Sequence, residues 1–240
     1  MRKVIFGGAL VGALTLAITT TALAQTTMDA SLKLSPAKAG TSKKPKPVKF
    51  TLGIQGGTDS GTGQPDTSTR IKVQLPKGIK WNGKLWPKAK RCSASKATAQ
   101  GSVSACPRGS KIGSGHVTAL GGNGGVVEEI DLTAFVTTGG HLGLFLEATQ
   151  PVPIATMLEG KVRRQTINVA IPFNIQEPVT GVPTGIRTLT FTVNGKTKVK
   201  GKSRGALEST RCSGRKWTSK VTNVLRTGTL TDSPSVACRK

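Results

Sequence analysis

Tyrosine is missing from this 240-residue chain, and carboxylates are few: eleven Asp and Glu stand against 35 Lys and Arg. Six Phe, three Trp, two His and four Cys complete the scarce set. Each scarcity excludes something. With so few aromatics the chain lacks the stacking platform on which single-strand nucleic-acid binders lay successive bases. No specific nucleic acid is therefore expected as a partner. The closest cysteines are Cys92 and Cys106, and only His116 and His141 could join them; that is not the closely spaced ligand set of a zinc site. The acids offer two clusters, Glu128, Glu129 and Asp131, and Asp59 with Asp66. Paired carboxylates serve glycoside hydrolysis at suitable separation, but neither stretch has the regular ligand spacing of a calcium loop. Around Ser110-Lys111 and Gly195-Lys196-Thr197 the full phosphate-loop pattern is absent. No cofactor and no metal are expected.

Long apolar runs are also lacking, with one exception. Residues 4–18, VIFGGALVGALTLAI, follow Arg2 and Lys3 and precede Ala22-Leu23-Ala24. A short positive region, an apolar stretch under 20 residues and an A-x-A site make a secretory signal peptide, 1–24, cleaved near Ala24. The expected mature chain, 25–240, has no transmembrane segment and is secreted, extracellular or held at the cell envelope. Four cysteines in an oxidising compartment imply two disulfides. Three pairings are open; Cys92–Cys106 and Cys212–Cys238 are favoured because each is local. The segment CSASKATAQGSVSAC between the first two holds almost nothing large and apolar. A covalent link there is worth about 3 kcal/mol in the chain-entropy model.

What the chain does have is alternation. Val48, Phe50, Leu52 and Ile54 stand at every second position, as do Ile71, Val73 and Leu75, then Ile167, Val169, Ile171 and Phe173, then Leu189, Phe191 and Val193. Trp217, Val221 and Leu225 share one parity. Period two is the mark of a half-buried antiparallel strand. Further strands are expected at 30–35, 111–119, 129–136, 141–148 and 154–163, with Asn194-Gly195 as a hairpin turn. One short helix is expected near 93–101, ended by Gly101. About ten short strands with frequent turns predict an all-β, antiparallel β-sandwich, immunoglobulin-like or jelly-roll-like, with a β-barrel as the alternative. The sandwich is expected to be one domain, with GGNGG at 121–125 as a candidate joint between two sub-lobes. Residues 36–47 read as an extended basic arm, and Phe50, Phe173 and Phe191 as core.

The other abundance is positive charge, +24 formally and +22 without Arg2 and Lys3. Such a balance favours anionic partners, here an anionic wall polymer or an acidic lipid surface. Lys196, Lys198, Lys200, Lys202 and Arg204 occupy alternate positions. On one extended strand all five would project to one side, about 6.6 Å apart, as a candidate anion-binding row. The plainer reading is edge-strand protection or solubility. Lys43, Lys44, Lys46 and Lys49, and the six cations between Lys77 and Arg91, form two more basic groups. Trp81 and Trp86 read as packing beneath the 92–106 staple or as an exposed platform for sugar or lipid. Gly201-Lys202-Ser203-Arg204-Gly205 matches G-x-S-x-G, but both histidines precede the serine and no helix pattern follows, so a nucleophile elbow is not expected. His116 and His141 read as polar residues at strand starts.

KLSPAKAG at 33–40, LPKGIKWNG at 75–83, ACPRGSKIGSG at 105–115, VAIPFNIQEPVTGV at 169–182, STRCSGRKW at 209–217 and the closing VAC occur in one order. In this combination the chain resembles a family of secreted, β-rich, disulfide-containing actinobacterial proteins. The resemblance implies export and the four cysteine positions, and it carries over no catalytic residues. The expected function is that of an exported non-enzymatic β-sandwich protein whose basic face binds anionic envelope polymers. The alternatives are a secreted hydrolase acting on envelope or extracellular glycans, and a structural protein-interaction module. Oligomeric state is left open.

Overall fold

The computed structural model describes residues 26–58 and 63–240. The expected signal peptide, 1–24, and Asp59 lie outside the described residues. The first strands are β1 (Thr26–Ser35), β2 (Lys46–Pro47), β3 (Lys49–Thr58), β4 (Ser68–Gln74) and β5 (Ile79–Trp81). After helix α1 (Ala94–Gln100) come β6 (Lys111–Gly121), β7 (Val126–Val136), β8 (Leu142–Ala148), β9 (Ile154–Arg163) and β10 (Thr166–Ala170). Helix α2 (Phe173–Gln176) precedes β11 (Thr184–Val193), β12 (Lys196–Val199), β13 (Lys202–Gly205) and β14 (Leu207–Ser209). The chain closes with β15 (Lys216–Thr218), β16 (Lys220–Leu225), β17 (Thr229–Asp232) and β18 (Ser235–Ala237).

Eleven strands make one antiparallel sheet in the order β1-β3-β11-β6-β7-β8-β9-β10-β4-β16-β17. The sheet curls until its edges meet: the Ala30 N–H on β1 donates to Asp232 Oδ2 on β17 at 2.7 Å. Near-closure removes the unpaired edges that an open sheet would expose. It also gives every strand an inside and an outside, which is why the alternation is so regular. Phe50, Leu52 and Ile54 of β3, Val117 and Ala119 of β6, Ile130 and Leu132 of β7, and Leu189 and Phe191 of β11 all face one interior. Each Val, Leu, Ile or Phe among them contributes roughly 1.5–3 kcal/mol on full burial. The molecule is thus all-β and antiparallel, within the sandwich-or-barrel class that the period predicts.

A second apolar cluster lies apart from the main interior. There α1 packs over Phe135, Phe145 and Met157, joined by Ala97, Cys92 and Cys106. The helix starts where Ser93 Oγ accepts from the Lys96 N–H (3.4 Å) and stops at Gly101, φ 57°. Both signals are local, and the helix falls inside the expected 93–101. The Cys92–Cys106 and Cys212–Cys238 bonds are both formed, and they point to an oxidising environment. Among the described residues no helix is long and apolar enough to cross a membrane.

Three expectations are corrected, and one of the two readings of Trp81 and Trp86 falls away. Phe173 is not core: Pro172 cannot donate to a ladder, β10 ends at Ala170, and Phe173 stands 64% exposed in α2. Asn194-Gly195 is no hairpin turn, because β11 pairs with β3 and β6 while β12 pairs with β13. Both amides donate instead to Ile112 O, at 2.9 and 2.8 Å. A Cβ on Gly195 would lie 2.5 Å from Ile112 Cα, so glycine is needed for that close approach. Residues 121–125 are the tip of the β6–β7 hairpin, not a joint, since the strands on either side are hydrogen-bonded to each other. Trp86 is 2% exposed and donates its indole N–H to Gly109 O at 2.8 Å, while Trp81 donates to Gly140 O at 2.7 Å. Neither makes a fully exposed platform.

The registers define two ends. One carries the β6–β7 tip, the β8–β9 loop and the α2 segment 171–183. The other is flanked by 36–48, the segment 75–110 and the small pairings β2-β14-β5 and β12-β13.

Candidate functional site

Charge is sorted between these ends. Between Asp66 and Glu128 the sequence holds eleven Lys and Arg and no carboxylate. Between Glu177 and Asp232 the sole carboxylate is Glu208. These acid-poor stretches supply most of the second end. Like charges gathered on one surface repel, and such a surface raises the local concentration of anions.

The 196–204 row is folded in two. Lys200 and Gly201 take positive φ (49° and 75°), and β12 turns back onto β13. The register pairs Lys198 with Ser203, Thr197 with Arg204 and Val199 with Lys202. Cross-strand partners share a face, so Lys196 and Lys198 lie on one side and Lys202 and Arg204 on the other. A single five-cation row does not exist. The cause is the turn at Lys200-Gly201, which alternation alone did not reveal.

Arg204 is also already engaged. Its Nε and Nη2 donate to Glu208 Oε1 and Oε2 at 2.8 and 2.7 Å, and the Gly205 N–H adds a bond at 3.1 Å. Glu208 is 2% exposed on β14, between Pro47 of β2 and Lys80 of β5. The carboxylate raises the guanidinium pKa further. Arg204 therefore balances a buried charge and is not free to bind an external anion.

The other face builds a cavity. Lys196, Lys198, Thr197 and Ser203 of the hairpin, with Lys90 and Gly109, line an open cleft of about 270 Å³. The staple explains why Lys90 and Gly109 are there. Cys92–Cys106 closes the loop between them, the Trp86 indole N–H donates to Gly109 O, and a Cβ on Gly109 would lie 2.9 Å from Lys90 Cδ. Three lysines thus line one cleft with no carboxylate among its lining residues. The ion pairs among the described residues use His116, Arg204 and Arg226, and no lysine.

Two neighbouring clefts repeat this chemistry. One of about 320 Å³ is lined by Lys77, Lys216 and Lys220 with Ser213, Gly214 and Ser219. Gly214 of its lining forms a turn with Arg215, both at positive φ, just after Cys212 of the second disulfide. The other, about 270 Å³, sets Lys80 and Arg211 beside Ser42, Gly78 and Thr210. The basic groups foreseen at 43–49 and 77–91 reach these clefts only in part.

The candidate catalytic groups sort differently. His116 stands mid-strand, opposite Asp131, and bonds Glu129 Oε2 at 2.6 Å and Asp131 Oδ1 at 3.1 Å. Glu129, then Asp131, raises the imidazole pKa, and the contact with His116 lowers that of Glu129. All three side chains are about half exposed or more, on the outer wall of the sheet, and none lines any of the cavities described. His141 Nδ1 accepts from the Val162 N–H at 3.1 Å, an internal role. Ser203 lies on β13 facing Lys198, not on a strand-to-helix elbow. Asp66 pins a loop by accepting from the Thr227 N–H and hydroxyl at 3.0 and 2.6 Å. Among the described residues no three His, Cys, Asp or Glu side chains are placed to hold a metal.

Set against known proteins, the chain matches no family model and no curated protein.

Proposed function

We propose that this chain is an exported, non-catalytic binding protein whose basic end docks onto a surface of repeated anionic groups; the resemblance to secreted actinobacterial proteins supports the export alone. The observation that carries the reading is the meeting of Lys90, Lys196 and Lys198 in one cavity without a carboxylate. Edge protection needs only scattered lysines; it does not need two segments a hundred residues apart to bring theirs together. Anionic wall polymer and acidic lipid present the same chemistry, phosphate or carboxylate groups in series. The hydrolase alternative draws no support from the His116 trio, which lines none of the cavities described above.

The test compares two charge-matched triple variants. Lys90→Ala/Lys196→Ala/Lys198→Ala removes the convergent set. Lys33→Ala/Lys72→Ala/Lys161→Ala removes three lysines from the sheet wall. Sedimentation with purified wall polymer in one arm, and with vesicles containing acidic lipid in the other, identifies the source. The first variant loses at least tenfold in affinity and the second loses much less. Equal losses would reduce the basic end to a solubility device.

A further inference from the structure

We propose that the interior of the curled sheet is a binding site for a single alkyl chain, with the chain's polar head at the end covered by α2. This inference stands apart from the basic end, which lies at the opposite pole.

The interior is not completely filled. A cavity of about 90 Å³ remains, lined by aliphatic side chains along the whole length of the sheet, from Leu142 and Ile167 near the basic end to Ile171, Ile175 and Ile186 at the other. Native interiors hold few voids larger than a water molecule. A dry apolar cavity of about 150 Å³ takes up benzene; this one is smaller and as it stands has room for a few methylenes at most. A longer chain enters by displacing α2.

The polar lining is confined to one end: Ser68, Gln176 and Thr184. Two of these are satisfied. Gln176 Nε2 donates to Ile171 O at 2.7 Å, and Thr184 Oγ1 to Gln176 O at 3.2 Å. Ser68 is 3% exposed and its hydroxyl has no partner. Buried hydroxyls are rarely left so, because the group has given up water for nothing. Glu128, on the inward parity of β7 opposite cavity-lining Ala119, leaves Oε1 unpartnered at the same end. Hydrocarbon along the length and unmet oxygens at the mouth match an amphiphile with its tail inward and a hydrogen-bonding head.

The cover is slight. Helix α2 has four residues, none of them buried. It is held by Thr184 and by Arg226, which pairs with Glu177 and stands 5.4 Å over the Phe173 ring. Elements with so few buried contacts open at low cost. Of five exposed large apolar side chains among the described residues, four belong to this end: Val126, Val127, Phe173 and Val179. Apolar side chains around a mouth suit entry of a chain from a lipid phase.

The experiment titrates the full chain with 1-alkanols from butanol to dodecanol, below their aggregation limits, and follows one-to-one complexes by native mass spectrometry. Affinity should rise about fourfold per methylene and then level off when the chamber is full. Ala119→Leu, which fills lining space, should bring the plateau to shorter chains. Ser68→Ala should weaken every alkanol by about tenfold without moving the plateau. If Ala119→Leu fails to fold, as circular dichroism would report, Ser68→Ala decides. Absence of saturable binding overturns the proposal. So does binding that ignores both chamber variants but is lost in Phe173→Ser, which would place the alkanol on the outer patch.

Discussion

Removing the Arg204 guanidinium should cost this fold more than removing any of the free lysines. In Arg204→Ala, the Glu208 carboxylate, 2% exposed on β14 with Arg204 in place, keeps only the Gly205 N–H among its protein partners, at 3.1 Å. Two charge-assisted bonds of 2.8 and 2.7 Å are lost at once. Breaking one partner of a buried pair costs about 3–5 kcal/mol, because the surviving charge is left uncompensated. Arg204 is itself 31% exposed, so water reaches the vacated site and the lower figure applies. For a chain of this size about 3 kcal/mol corresponds to roughly 6–12 °C in Tm. Glu208→Gln, which removes the buried charge and keeps an acceptor for Gly205, should cost less than Arg204→Ala. Scanning calorimetry at pH 7 in low and high salt reads all of this. A Tm change under 2 °C for Arg204→Ala, or a larger loss for Glu208→Gln, would refute the reasoning and return Arg204 to the free cations.

Glu128 supplies a pH dependence. Burial holds its carboxyl above the ordinary value, so folding favours its protonated form relative to the unfolded chain. Stability is then fully present below the unfolded pKa and declines as pH rises through the raised folded one. Glu128→Gln should melt higher than the wild type at pH 7 and match it near pH 4; a lower Tm at pH 7 contradicts the assignment. Cys92→Ser/Cys106→Ser opens a loop of sequence separation 14 and should cost about 3 kcal/mol. Because the staple also sets Lys90 beside Gly109, the same variant should weaken polyanion binding, measured by anisotropy at a temperature where circular dichroism shows it folded. Unchanged Tm and unchanged binding would refute the role given to the staple.

The fold was legible where its signals are local. Alternation placed Phe50, Leu52 and Ile54 on one face before any partner strand was known, and Gly101 marked the end of α1. Both disulfides close short stretches, so separation alone favoured them. Legibility failed where partners are remote. Nothing in 167–173 except Pro172 says that the alternation stops short of Phe173. Nothing around Asn194-Gly195 says that the amides turn to Ile112, eighty residues away. In the basic site the sequence supplied Lys196 and Lys198 in one row and Lys90 in another basic group, but not their meeting, which comes only through the folded loop around the first disulfide. A glycine after Lys200 was the visible hint that the cation row would fold back. The 90 Å³ interior space had no sequence signal, because its lining reads as ordinary core.

The central claim is that Lys90, Lys196 and Lys198 act together on a polyanion, and counterion release tests it most directly. With duplex DNA as a generic polyanion, log K falls linearly with log salt concentration, by about 0.9 for each phosphate neutralised. The wild type should show a steep slope, and the Lys90→Ala/Lys196→Ala/Lys198→Ala variant a slope shallower by roughly 2.7, from three lost contacts at that value. A variant slope equal to that of the wild type would mean that the three lysines touch no phosphate, and would contradict the account.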